Sequence, residues 1–163
     1  MKREAGFGII ETVIASAIIG GSLWALASVF LLSGSAVSLA RERTQAAFLA
    51  EEGIEVARHL RDAGWNANIS SLTPGQNYYF SFNAGSSLWS IGTVPEPAIE
   101  GIFLRSIRAE RVSRDANFDI EAVYNPAHED PETRKIVVEI EWTRKGALKT
   151  ATLEAYLTDI FDN

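Results

Sequence analysis

The chain contains no cysteine. Disulfides, Cys-based zinc sites and nucleophilic thiols are therefore excluded, and an exported form must hold its fold by core packing and sheet pairing alone. Histidine is scarce: His59 and His128 are the two in the sequence. His59, between Arg58 and Leu60 in a helical pattern, reads as a surface or packing residue. There is no Gly-rich phosphate loop and no Ser/His/Asp set at recognisable spacing, so catalysis has little support. The chain is expected not to be an enzyme and to need no cofactor. Excess positive charge is lacking too. With 15 Lys and Arg against 21 Asp and Glu, the net charge of −6 disfavours phosphate neutralisation, and no nucleic-acid partner is expected. Charge of either sign is missing from one long stretch, because after Glu11 the next charged residue is Arg41.

What remains is unevenly distributed. At 163 residues the chain fits one globular domain plus a terminal extension. Much of the apolar content lies in the first forty positions, and the remainder is ordinary for a soluble α/β domain of ~100–120 residues. Residues 7–32 are predominantly apolar, and a helix of roughly 20 residues already crosses a bilayer's hydrocarbon. Lys2 and Arg3 precede the run and favour a cytoplasmic N-terminus, a bias that Glu4 and the short leader keep modest. No comparable run follows, which places the rest of the chain on the far side.

Three readings compete for this segment. A cleaved secretory signal usually has an apolar region of ~7–15 residues and an A-x-A-like site. Ala15-Ser16-Ala17 offers such a site, but inside the run and not at its end. A generic single-pass anchor explains the length but not Glu11. A carboxylate at a membrane helix centre costs about 2.5–3.5 kcal/mol on insertion scales, less near an end, and a plain anchor gains nothing from it.

The third reading explains both features. Gly6-Phe7-Gly8-Ile9-Ile10-Glu11 resembles the processing signal of type IV prepilins and pseudopilins: a short basic leader ending in Gly, then Phe, with Glu as the fifth residue after the cut. The resemblance implies that prepilin peptidase cuts between Gly6 and Phe7 on the cytoplasmic face and methylates the new Phe7 amine. It also implies that Glu11 helps recruit the subunit by pairing with the N-terminal amine of a neighbour in a filament. A carboxylate is retained in an apolar helix if a cation meets it in the assembled state. Gly8 and Ile9 stand where Thr and Leu are most often found in that family. Ala17, Gly21 and Ala25 recur every four residues, as do Ser16 and Gly20, a spacing that lets helices approach closely and that is also common in any membrane helix. Pilins often carry a Pro that melts the middle of this helix. Here there is none, and Gly20-Gly21 offers a looser place instead.

The helical pattern continues past the apolar run. Within residues 36–63, Leu39, Ala46, Ala50, Gly53, Ile54, Ala57 and Leu60 fall on one stripe, with most charged residues on the other faces. The spacing predicts one helix from Phe7 to about Asp62, roughly 80 Å at 1.5 Å per residue, with Gly64 as its stop. Residues 65–76, rich in Asn, Ser, Pro and Gly, read as a connecting loop. Asn68-Ile69-Ser70 is a formal glycosylation acceptor, a pattern frequent by chance. Short strands are expected at 78–82 and 88–91, with Pro95 and Pro97 breaking the chain after them. Strands are then expected at 102–112, along Phe118, Ile120, Ala122 and Tyr124, along Ile136, Val138, Ile140 and Trp142, and along Ala151, Leu153, Ala155 and Leu157. Such period-two alternation suits a half-buried antiparallel sheet, with Arg144-Lys145-Gly146 turning between the last two strands. The expected fold class is α+β: a long N-terminal helix, its first half transmembrane, packed on an antiparallel sheet.

Two clusters carry residue types suited to chemistry. Glu129, Asp130 and Glu132 supply hard oxygen ligands for Ca²⁺ but lack the spacing of a known calcium loop, so a solvated acidic turn is the better reading, and no metal site is expected. Arg105, Arg108, Arg111 and Arg114 recur every three residues. On a strand that spacing alternates faces, so cross-strand pairing with Glu110, Glu121 or Glu139 is expected, not one basic surface.

Near the carboxyl end, Asp130-Pro131-Glu132-Thr133-Arg134-Lys135, Val138-Glu139-Ile140-Glu141-Trp142 and Tyr156-Leu157-Thr158-Asp159 resemble the corresponding end of PilV-like minor pilins. The resemblance implies a pilin-like layout: leader 1–6, transmembrane and filament-core half-helix 7–35, and globular domain 36–163. It implies a minor pilin with prepilin peptidase, other pilin subunits, a membrane assembly platform and cytoplasmic-membrane lipid as partners. The chain would be a single-pass inner-membrane protein with a cytoplasmic N-terminus, and part of a cell-surface filament after assembly. A type II secretion pseudopilin shares the amino-terminal signal, and a membrane-anchored extracytoplasmic binding domain is the alternative from another class. Any ligand specificity would reside between Trp65 and Glu100.

Overall fold

The computed structural model describes residues 8–161. In chain order it has helix α1 (Ile9–Ala63) and strands β1 (Tyr79–Asn83), β2 (Leu88–Gly92), β3 (Leu104–Ser113), β4 (Glu129–Arg144) and β5 (Ala147–Thr158). A single π-helical turn (Asn66–Ser70) follows α1, and a 3-10 turn (Pro126–His128) precedes β4. The layout is α+β, a long N-terminal helix packed against antiparallel sheets. The chain divides into two compact units, one ending at Glu42 and the other beginning at Arg43.

The first unit is helix alone. Every residue from 8 to 34 is exposed, including Ile14, Leu23, Trp24 and Phe30. The segment is long and apolar enough to cross a membrane, and none of it is buried.

The second unit builds the core. Ala46, Ala50, Gly53, Ile54, Ala57 and Leu60 of α1 are buried, as the stripe requires, and Val56 joins them. Small residues bring the helix close to the sheet, while Ile54 and Leu60 supply burial worth about 1.5–3 kcal/mol each. Facing them are Ile107 of β3, Ile136, Val138, Ile140 and Trp142 of β4, and Leu157 of β5. The sheet runs β3-β4-β5, antiparallel throughout. Its last hairpin closes over Lys145 (φ +49°) and Gly146 (φ +77°), between the paired residues Arg144 and Ala147. Two successive left-handed residues form the two-residue turn whose twist matches a hairpin.

Four expectations need correction. The sheet is not single: β1 and β2 form a separate two-stranded hairpin, joined to β3 through a bridge between Tyr78 and Ile107. Residues 65–76 are more than a loop. Gly64 (φ +154°) ends α1, the π turn follows, and Trp65, Ile69 and Leu72 dock into the core. Asn68 Nδ2 donates to the Leu60 carbonyl at 3.0 Å, satisfying one acceptor that the helix end leaves open. Residues 118–124 are not a strand. Asp115 accepts from the Asn117 and Asp119 backbone N–H groups, Phe118 turns left-handed at φ +66°, and the Phe118 and Val123 side chains are exposed. The Asp-x-Asn turn chemistry overrides the alternation. Lastly, β4 starts at Glu129, so the acidic segment read as a turn opens the longest strand.

Candidate functional site

Helical geometry places Gly8 just before α1 and Glu11 at its third position. The Gly8 N–H donates to Glu11 Oε2 at 3.2 Å. This is the return half of a capping box, in which a carboxylate in the first turn reaches back to an otherwise unsatisfied N–H. Glu11 thus has a local task in the isolated chain, which the sequence alone did not suggest. Its charge also suits the positive end of the helix dipole. Gly6 and Phe7, the expected cleavage and methylation positions, lie outside the described residues.

The polar groups of the apolar run are satisfied within the helix. Ser16, Ser22, Ser28 and Ser35 donate to the carbonyls of Val13, Ile18, Trp24 and Leu32 at 2.8–2.9 Å. A helix that bonds its own hydroxyls presents little uncompensated polarity to hydrocarbon. Gly20, Gly21 and Gly34 have open space where a Cβ would stand. Small positions are thus available to a neighbouring helix.

In the second unit the arginines divide as the spacing requires, but the partners differ from those expected. Arg105 lies on the helix side, where Nη1 reaches Glu52 at 3.2 Å and the Leu49 carbonyl at 3.3 Å. Its guanidinium also stands over the Phe80 and Trp89 rings. Arg108 is on the other face with Glu139, Arg111 meets Glu129, and Arg114 meets Asp130 at 2.6 Å. Of the three acids expected to take arginines, only Glu139 does. Glu110 pairs with Lys135, and Glu121 with His128 at 3.3 Å. The four arginines do not converge on one surface.

The acidic segment is engaged in the same way. Glu129 also accepts from the Tyr124 hydroxyl, and Asp130 from the Glu132 N–H. Burial pushes the Asp130 carboxyl up, but bonds from Arg114, Thr133 and the Glu132 N–H outweigh it and hold it below the usual range. The Ser113 hydroxyl, followed by His128, does the same for Glu121 against the effect of burial. Arg134 is buried, and its Nη1 donates to the Thr133 and Pro131 carbonyls at 3.0 and 3.2 Å. No group of three or more metal-ligating acids or histidines occurs among the described residues.

The polar cavity beside this network, lined in part by Ser113, Glu121, Tyr124 and Lys135, measures about 110 Å³. Small-molecule sites commonly occupy about 300–1,000 Å³, so it is undersized for an organic ligand. A larger hollow of about 490 Å³, lined in part by Arg114, Phe118, His128 and Glu132, lies open to solvent. The exposed apolar helix and its amino-terminal carboxylate are therefore the strongest functional feature. Comparison of the chain with protein-family models, with curated proteins and with solved structures gives no match, so the pilin resemblance rests on the quoted motifs alone.

Proposed function

We propose that the chain is a type IV pilin-like structural subunit, a minor pilin, whose leader is removed by prepilin peptidase and whose N-terminal helix drives assembly. The observation that carries this reading is the pairing of Gly6-Phe7 and Glu11 with an apolar helix exposed from residue 9 to residue 34. A surface of that extent needs an apolar environment. On this reading it takes lipid before assembly and neighbouring subunits afterwards, and the second unit lies outside the cytoplasm. Glu11 then exchanges its bond to the Gly8 N–H for the methylated amine of a neighbour's Phe7. A type II secretion pseudopilin fits the same features and differs in the machinery that receives it.

A second reading is favoured by one observation. The Gly8–Glu11 bond gives the carboxylate a use in a plain membrane anchor carrying a binding domain. Mass spectrometry separates the two. In cells with a prepilin peptidase, the membrane form should begin at Phe7 and carry one extra methyl. A chain still beginning at Met1 would favour the plain anchor and overturn the pilin proposal.

A further inference from the structure

The two edges of the three-stranded sheet are treated differently. The outer edge of β3 is occupied. Ile107 exchanges both backbone bonds with Tyr78, at 2.8 and 2.9 Å, and the Ala109 carbonyl accepts from Gly75 at 3.0 Å. Its pairing with β4 on the inner side also shifts register between Arg111 and Val112, where residues 131–133 of β4 interrupt the ladder. Such devices keep an edge from recruiting another strand.

The outer edge of β5 has none of them. Pairing with β4 runs without a register shift from Thr133↔Thr158 to Arg144↔Ala147. The strand holds no Pro and no Gly, and its charges are Lys149 and Glu154. Because Arg144 and Ala147 flank a two-residue turn, odd-numbered residues of β5 bond to β4. Leu148, Thr150, Thr152, Glu154 and Tyr156 therefore direct both backbone groups outward. All five are exposed, and none of their N–H or carbonyl groups bonds to another element among the described residues.

We infer that β5 pairs antiparallel with β5 of a second copy of this chain, about a two-fold axis at Thr152, joining two three-stranded sheets into one. The side chains select this register. It sets Thr152 opposite Thr152, Thr150 opposite Glu154, and exposed Leu148 opposite exposed Tyr156, so each copy supplies both halves of an apolar pair. Centring on Glu154 would oppose like charges. Centring on Thr150 would leave Tyr156 without a partner. The contact is isologous and uses both β5 edges, while the β3 edges are occupied, so it closes at two copies and does not propagate. The inference concerns the second unit and does not depend on the filament reading.

The absence of native cysteine makes the test direct. The full chain is purified in detergent with Thr152→Cys or Thr150→Cys and oxidised. Opposite residues in an antiparallel pair have Cα atoms about 5.5 Å apart, within disulfide reach. Two Thr150 positions lie roughly 13 Å apart along the strands in this register, beyond it. Thr152→Cys should double in mass while Thr150→Cys stays single. A third variant, Thr152→Lys, should lose the dimer and keep its circular dichroism spectrum, since the side chain at 152 points to solvent. Equal cross-linking of the two cysteine variants, no cross-linking of either, or a dimer that survives Thr152→Lys would each overturn the inference.

Discussion

Gly53 of α1 lies so close to Val138 of β4 that a Cβ added at Gly53 would stand 2.7 Å from one Val138 methyl carbon and 3.2 Å from the other. This contact sets the distance between helix and sheet. Replacing Gly by Ala inside a helix normally gains about 1 kcal/mol of propensity. Here the clash reverses the sign, because overpacking a core costs about 1–3 kcal/mol. Gly53→Ala should lower the urea midpoint, and adding Val138→Ala should cost less than the sum of the two single changes. An additive double mutant would mean that the two residues do not meet.

Glu11 can be divided into its charge and its bond. Glu11→Gln keeps an acceptor for the Gly8 N–H and removes the charge, whereas Glu11→Ala removes both. If the carboxylate pairs with a neighbour's amine, both variants should be processed normally and both should be depleted from sheared filaments. If the cap is the whole role, Glu11→Gln should be incorporated like the wild type.

Arg105 joins α1, β3 and the β1–β2 hairpin. Its side chain is 8% exposed, whereas that of Glu52 is 48% exposed, so loss of the arginine leaves Glu52 in water and the ion pair itself is worth little. The cost should come from the Leu49 carbonyl bond and the contact with the Phe80 and Trp89 rings. Arg105→Met should destabilise by about 1–3 kcal/mol and alter the near-UV signal of Trp89. Glu52→Gln should leave both nearly unchanged.

Acid should loosen the start of β4, where Asp130 sits, and the Glu121 segment that precedes it. Asp130 and Glu121 have folded values below their ordinary 3.8 and 4.5, so the unfolded chain binds protons more readily than the native one. Their contribution is complete above those ordinary values and fades as pH falls through the lowered folded ones. In Asp130→Asn the fall in unfolding midpoint between neutral and acid pH should be smaller than in the wild type. An unchanged pH slope would remove Asp130 from the account.

The parts legible in the sequence are those where one period dominates. The stripe from Ala46 to Leu60 and the alternation of Ile136, Val138, Ile140 and Trp142 each have a single buried face, and the structure buries both. Phe118 to Tyr124 has the same alternation but no buried face, because the Asp115 turn acts first. Trp65, Ile69 and Leu72 did carry helical spacing, obscured by the polar residues between them. The role of Glu11 as a cap was hidden, because a helix begun at Phe7 sets the carboxylate at its fifth position, whereas the start at Ile9 sets it at the third, where it reaches back to the Gly8 N–H. Pair partners such as Arg105 with Glu52 were hidden too, because they depend on how the helix lies across the sheet.

The bond from Asn68 to the end of α1 bears on how the protein can be produced. The Asn68-Ile69-Ser70 acceptor pattern is committed on two sides: the amide holds the Leu60 carbonyl, and Ile69 is fully buried. A sugar transferred to that amide during secretion through a eukaryotic host would remove the bond and keep the turn from docking. Folded yield in such a host should therefore improve with Ser70→Ala, whereas a bacterial host makes the change unnecessary.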